Sequence, residues 1–125
     1  MEFHVQTIKL GEKTKAGHIY NRDVFEKALE KCKEKYGEFI LGEIGPRENP
    51  DCLLGEVTHK VSNAYIDDNN IVNLTVKPLD TPKGNLIQEI LEKNQHYHFE
   101  PAGSGHIDEN GVVTDYELYG FDLIL

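Results

Sequence analysis

Peptide-bond chemistry by a nucleophile needs a Ser or Cys, a histidine to take its proton, and a group that orients the histidine. The chain offers two serines, Ser62 and Ser104, two cysteines and six histidines. Ser62 follows Val61 in an apolar-rich segment three residues after His59, a place that suits a structural strand residue. Ser104 stands in Gly103-Ser104-Gly105. Its flanking glycines would either let a substrate backbone approach closely or mark a bend or bulge in a strand. The triplet is no phosphate loop, since it has no Gly-Lys-Ser/Thr ending and no helix after it.

Metal chemistry has less to work with. His96 and His98 alternate, so both would point the same way from one strand, but no third or fourth ligand cluster matches them. The alternative is a polar strand face. His18, in Gly17-His18-Ile19-Tyr20, reads as a loop residue. Cys32 and Cys52 are too few for a disulfide framework and lack CxxC spacing. Cys32 falls on an apolar helical face, which predicts a buried free thiol. No metal and no cofactor is expected.

At 125 residues the chain suits one domain, 1–125, with a single core. A hydrophobic content of 38% with 28% charged residues describes an ordinary soluble globular protein. No run approaches the ~18 apolar residues of a membrane span, and Met1-Glu2-Phe3-His4-Val5 lacks the basic and apolar regions of a signal peptide. Synthesis in the cytoplasm is the expectation. The net charge of -9 argues against a nucleic-acid surface, which needs clustered Lys and Arg. Lysines gather at Lys9 to Lys15 and at Lys27 to Lys35, interrupted by Glu12 and by Glu30 and Glu34, as on solvated turns and helix faces. The acidic balance is compatible with a basic protein partner, though solubility alone accounts for it.

The elements that must position these groups follow from the pattern. Phe3 to Leu10 reads as a strand and Gly11 to Gly17 as a connection. Asn21-Arg22-Asp23 opens a helix with a capping side chain at hand. Val24, Phe25, Ala28, Leu29, Cys32 and Tyr36 are its stripe and Gly37 its stop. Phe39-Ile40-Leu41 suits a buried strand, and Gly45 to Asp51 a loop. Val57 to Ile66 and Ile71 to Pro78 form a hairpin across Asp67-Asp68-Asn69-Asn70, with Val72, Leu74 and Val76 on the buried side. Thr81-Pro82 starts a second helix with Leu86, Ile87, Ile90 and Leu91 as its stripe, ending at Asn94. His96 to Glu100, Ser104 to Asp108 and Val112 to Leu125 are strands, the last two joined at Asn110-Gly111. The order predicts an α+β domain with a mainly antiparallel sheet or small barrel and two packed helices.

Five segments, in order, resemble the tailed-bacteriophage prohead (capsid-maturation) proteases. Gly17-His18-Ile19-Tyr20-Asn21-Arg22-Asp23-Val24 is similar to that family's "NGRIYPREV" element, and Leu41-Gly42-Glu43-Ile44-Gly45 to "LGELGHP". Glu56-Val57-Thr58-His59 resembles "NVSH", and Leu79-Asp80-Thr81-Pro82-Lys83-Gly84 resembles "ILDTPNGK". Ile107 to Asp115 with Phe121-Asp122 resembles the closing hairpin. The resemblance implies a small β-barrel surrounded by helices, shared with herpesvirus assemblins. It makes His59 the counterpart of the catalytic base and Asp122 or Asp115 the orienting acid. The nucleophile does not carry over: Glu100 and Pro101 stand where the family's "GVSSRGVGS" has paired serines, and the "GHP" histidine is replaced by Pro46. Ser104 would need a shift of three or four residues along its strand, and an odd shift turns it to the other face. Losing a nucleophile leaves roughly 10³–10⁴ over water in the measured serine-protease case.

The resemblance therefore implies a phage head protein with a degenerate, catalytically inactive fold. It would bind capsid or scaffold proteins as a decoration or vertex component, made in the host cytoplasm and carried in the virion. A homo-oligomer is compatible with this; no membrane or nucleic-acid partner is expected. The alternatives are an active serine endopeptidase using Ser104 and His59, or an assembly chaperone or inhibitor of the true protease.

Overall fold

In the computed structural model, which describes residues 1–52, 55–93 and 96–125, both predicted hairpin turns are built the same way. Asp67 Oδ1 accepts the N–H groups of Asn69 and Ile71, and Asp108 Oδ1 accepts those of Asn110 and Val112. Asn70 and Gly111 take the left-handed conformation each turn needs, at φ 63° and 83°. These turns join β4 (Val57–Ile66) to β5 (Ile71–Pro78), and β6 (His98–Ile107) to β7 (Val112–Ile124). Both pairs are antiparallel.

The remaining strands are β1 (Phe3–Lys9), β2 (Ile19–Tyr20) and β3 (Ile40–Glu43). They complete two sheets, four-stranded in the order β1-β5-β4-β3 and three-stranded in the order β2-β7-β6. The described strand pairs are antiparallel except the short one between β2 and β7, and the isolated Ile44–Leu123 bridge is parallel as well. Of the sheet or small barrel expected, the sheet form holds, because the described strands form two sheets and do not close into a ring. The β3/β7 seam carries one bridge, Ile44 to Leu123. At the β1/β6 seam Thr7 Oγ1 donates to the Phe99 carbonyl. Phe99, Phe121, Leu123, Val61, Val72, Leu74 and Val76 fill the space between the sheets.

Helix α1 (Arg22–Tyr36) buries Phe25, Ala28, Leu29 and Cys32, as the stripe predicts. Asn21 makes no side-chain cap bond; Arg22 anchors the start instead, donating to Asn70 Oδ1 at 2.7 Å and to the Asp67 carbonyl. Thr81 does cap α2 (Pro82–Glu92), accepting from the Gly84 N–H at 3.0 Å. Here the stripe is shifted: Gly84, Ile87 and Leu91 are buried and Leu86 is 48% exposed. The spacing i, i+3, i+7 selects one narrow face, and Leu86 lies off it. The expected stop at Asn94 lies outside the described residues.

Two expected strands, His96 to Glu100 and Ser104 to Asp108, are one strand, β6, with a register slip between Ala102 and Gly103. A bulge absorbs the irregularity that the glycines signalled, so the strand continues through it. Ile19-Tyr20, expected beside a loop histidine, pairs with Val112-Val113.

Candidate functional site

His59 lies on β4 directly opposite Gly42 of β3. Because Gly42 has no side chain, the imidazole crosses β3 and reaches β7, where Nε2 stands 2.8 Å from the Phe121 carbonyl oxygen. A Cβ on Gly42 would collide with the ring and with that same oxygen. The other nitrogen, Nδ1, is 2.7 Å from Thr58 Oγ1. A carbonyl oxygen only accepts, so Nε2 carries the proton and donates to Phe121. Nδ1 then holds the ring's lone pair and accepts from the Thr58 hydroxyl.

The ring is wholly buried, with the Phe99 ring edge-on at 5.5 Å. Burial is the main reason its pKa is pushed down to about 4; the Phe121 hydrogen bond and the Asp122 charge favour the protonated ring, and Arg47 opposes it. His59 is thus a neutral imidazole at pH 7 whose basic nitrogen is already engaged.

Asp122, a candidate orienting acid, does not bond His59. Arg47 holds it in a two-pronged ion pair, Nη2 to Oδ1 at 2.6 Å and Nε to Oδ2 at 2.9 Å, with both side chains less than a tenth exposed. Arg47 Nη2 also donates to the Leu41 carbonyl of β3, and Asp122 Oδ1 accepts the Glu43 N–H. The Asp122–Glu43 contact crosses the β3/β7 seam directly, and Arg47 links Asp122 of β7 to Leu41 of β3. The seam that backbone pairing leaves nearly open is therefore tied by side chains, His59 at one level and Arg47–Asp122 at another. Gly120 takes part through its size, since a Cβ there would strike the Leu41 carbonyl oxygen.

Ser104 is exposed, and its hydroxyl lies 2.6 Å from the Tyr119 hydroxyl. It stands five residues beyond Phe99, whose ring touches His59, roughly 16 Å at the ~3.3 Å rise of a strand. The β6 residue that packs against His59 is Phe99; Pro101, two residues on, shares its side of the strand and pairs with Phe121. Glu100 pairs with Asp122 on the strand's other side and bonds His98 at 2.8 Å. Asp115, the second candidate acid, sits at the exposed hairpin end, bonded to His106 at 2.8 Å, which holds its carboxyl below the usual range. The structure thus brings none of Ser104, Asp115 and Asp122 to His59.

Ser62 lies on β4 and donates to the Thr75 carbonyl, and Cys32 is a buried free thiol, as its place on the helical stripe predicts. No group of three or more His, Cys, Asp or Glu side chains able to hold a metal ion occurs among the described residues. No described helix is long and apolar enough to cross a membrane. Sequence reading missed Arg47, Gly42 and Tyr119. Arg47 lies in a segment read as loop from its Pro, Gly and Asn content. An arginine flanked by Pro46 and Glu48 gave no local sign of burial.

The outer face of this seam carries a cleft of about 330 Å³. Pro46 to Pro50 wall it on one side and Glu100 to Ser104 with Tyr119 on the other, over Arg47 and Asp122. His59 is not among its lining residues.

No protein-family model matches the sequence, and no curated protein matches it. Among solved structures, the chain is similar to the bacteriophage T4 capsid assembly protease, gp21. The TM-score is 0.84 over 99% of this chain and 81% of that one, at 13% sequence identity. The likeness is one of fold: a small α+β domain with two helices and mostly antiparallel sheets, like that of the protease.

Proposed function

We propose that this chain is a phage head protein that keeps a prohead-protease fold and has no proteolytic activity. In this reading it binds capsid or scaffold proteins as a structural, decoration or vertex component of the virion. The single observation that carries it is the state of His59. A general base needs a free lone pair within about 3 Å of the hydroxyl it activates. The lone pair of His59 is taken by Thr58, in a place closed to solvent, and the β6 side chain packed against the ring is Phe99. The exposed serine bonds a tyrosine instead. What remains is a cleft beside a sheet, a setting in which an extended partner segment can dock.

A fluorophosphonate probe with the purified chain, together with incubation against its phage's capsid and scaffold proteins, tests the inactivity. No labelling and no cleavage are expected. Labelling of Ser104 that disappears in His59→Ala would establish the serine-endopeptidase alternative. Mass spectrometry of purified particles separates the other readings. Presence in mature virions is expected, whereas presence only during assembly would mark a chaperone or an inhibitor of the true protease.

A further inference from the structure

A second cleft, about 1080 Å³, is larger than the one over Arg47 and Asp122. It opens at the other seam, where β1 and β6 are the outermost strands of their sheets. The two edges are linked where Thr7 donates to the Phe99 carbonyl. Toward the start of β1 they part, leaving a groove between His4-Val5-Gln6 and His96-Tyr97-His98. An outermost strand leaves every second N–H and C=O without a strand partner. Tyr65, 51% exposed, lies in the same groove with Asn73 and Thr75.

Its charge is the informative part. The chain carries 22 Asp and Glu against 13 Lys and Arg, yet no Asp or Glu is among the described residues lining this groove. Three histidines and Lys15 are. The adjoining cleft, about 210 Å³, adds Lys9 and Lys13 to Lys15, with Glu12 and Glu100 as its acids. The lysines gathered between Lys9 and Lys15 in the sequence therefore collect along one open seam. Lysines supply cationic donors and histidines N–H donors; His98 Nε2 already holds Glu100 and His4 Nδ1 lies 3.2 Å from Thr75 Oγ1, so Lys15 is the groove's cationic donor among the described residues. A tyrosine at such a place gives rigid contact area of the kind that anchors interfaces.

We propose that the β1/β6 groove is a docking site for an extended acidic segment of a protein partner, added along the free edge of β1. The reading as a head protein enters only in naming that partner as a capsid or scaffold protein. The test uses fluorescence anisotropy with a labelled peptide of alternating Glu and Thr and its Gln-for-Glu counterpart. The Glu peptide is expected to bind at least about tenfold more tightly, and Lys15→Glu to weaken it about tenfold. Lys31→Glu, the same charge change on the exposed face of α1, should leave binding unchanged. Equal affinity for the two peptides, absence of binding, or equal loss in Lys15→Glu and Lys31→Glu would overturn the assignment. Co-sedimentation with heads separates the two readings. Wild type that binds heads while Lys15→Glu binds equally well refutes the groove alone, and wild type that does not bind heads refutes the head-protein reading while the peptides still decide the groove.

Discussion

Comparing wild type with His59→Gln from pH 7 to pH 4 isolates the energetics of the buried ring. Glutamine can still donate an N–H toward the Phe121 carbonyl, but it does not titrate. In the folded chain the His59 pKa is pushed from 6.5 down to about 4, chiefly by burial. The unfolded chain therefore takes up its proton first. The stabilisation is complete above pH 6.5 and is lost as pH falls toward 4. A tenfold change in proton affinity between the folded and unfolded chain corresponds to about 1.4 kcal/mol, so the loss is about 3 kcal/mol, a large part of a typical domain's roughly 5–15. With a urea slope of about 1–3 kcal/mol per molar, the wild-type midpoint should fall about 1–3 M further than that of the glutamine variant over this range. Carboxylates titrate in both proteins and cancel in the difference. Parallel stability curves for the two proteins would refute the reasoning, because the ring would then titrate alike in both states.

Three further outcomes follow from the seam. Gly42→Ala places a methyl group against the His59 ring and the Phe121 carbonyl, and should cost about 3 kcal/mol in urea unfolding. Arg47→Met strands the Asp122 carboxylate and should cost about 3–5 kcal/mol, whereas Arg47→Met with Asp122→Leu should recover most of that, measured as a double-mutant cycle. Pro101→Ser puts a hydroxyl on the β6 residue paired with Phe121, whose carbonyl holds His59, yet fluorophosphonate labelling should stay at background because Thr58 keeps the basic nitrogen.

Local chemistry was legible in the sequence where it acts over a few residues. The Asp67 and Asp108 turns, the Thr81 cap and the α1 stripe each depend on neighbours within about one turn of chain. The β6 glycines announced a bulge but not its register. The seam was not legible, because its bonds join residues 62 apart, His59 to Phe121, and 75 apart, Arg47 to Asp122. Asp122 could be picked out by resemblance, but only the fold gives it Arg47 as partner and keeps it from His59. Gly42 illustrates the same limit: its value lies in the side chain it lacks opposite one particular histidine.

Whether His59 is a neutral, bonded structural imidazole is tested most directly by NMR of the chain labelled with ¹⁵N-histidine. The expected ring is protonated on Nε2, with Nδ1 as hydrogen-bond acceptor, holds this form from pH 8 down to about 5 and titrates near 4. A ring that carries its proton on Nδ1, or that titrates near its ordinary 6.5, would contradict it.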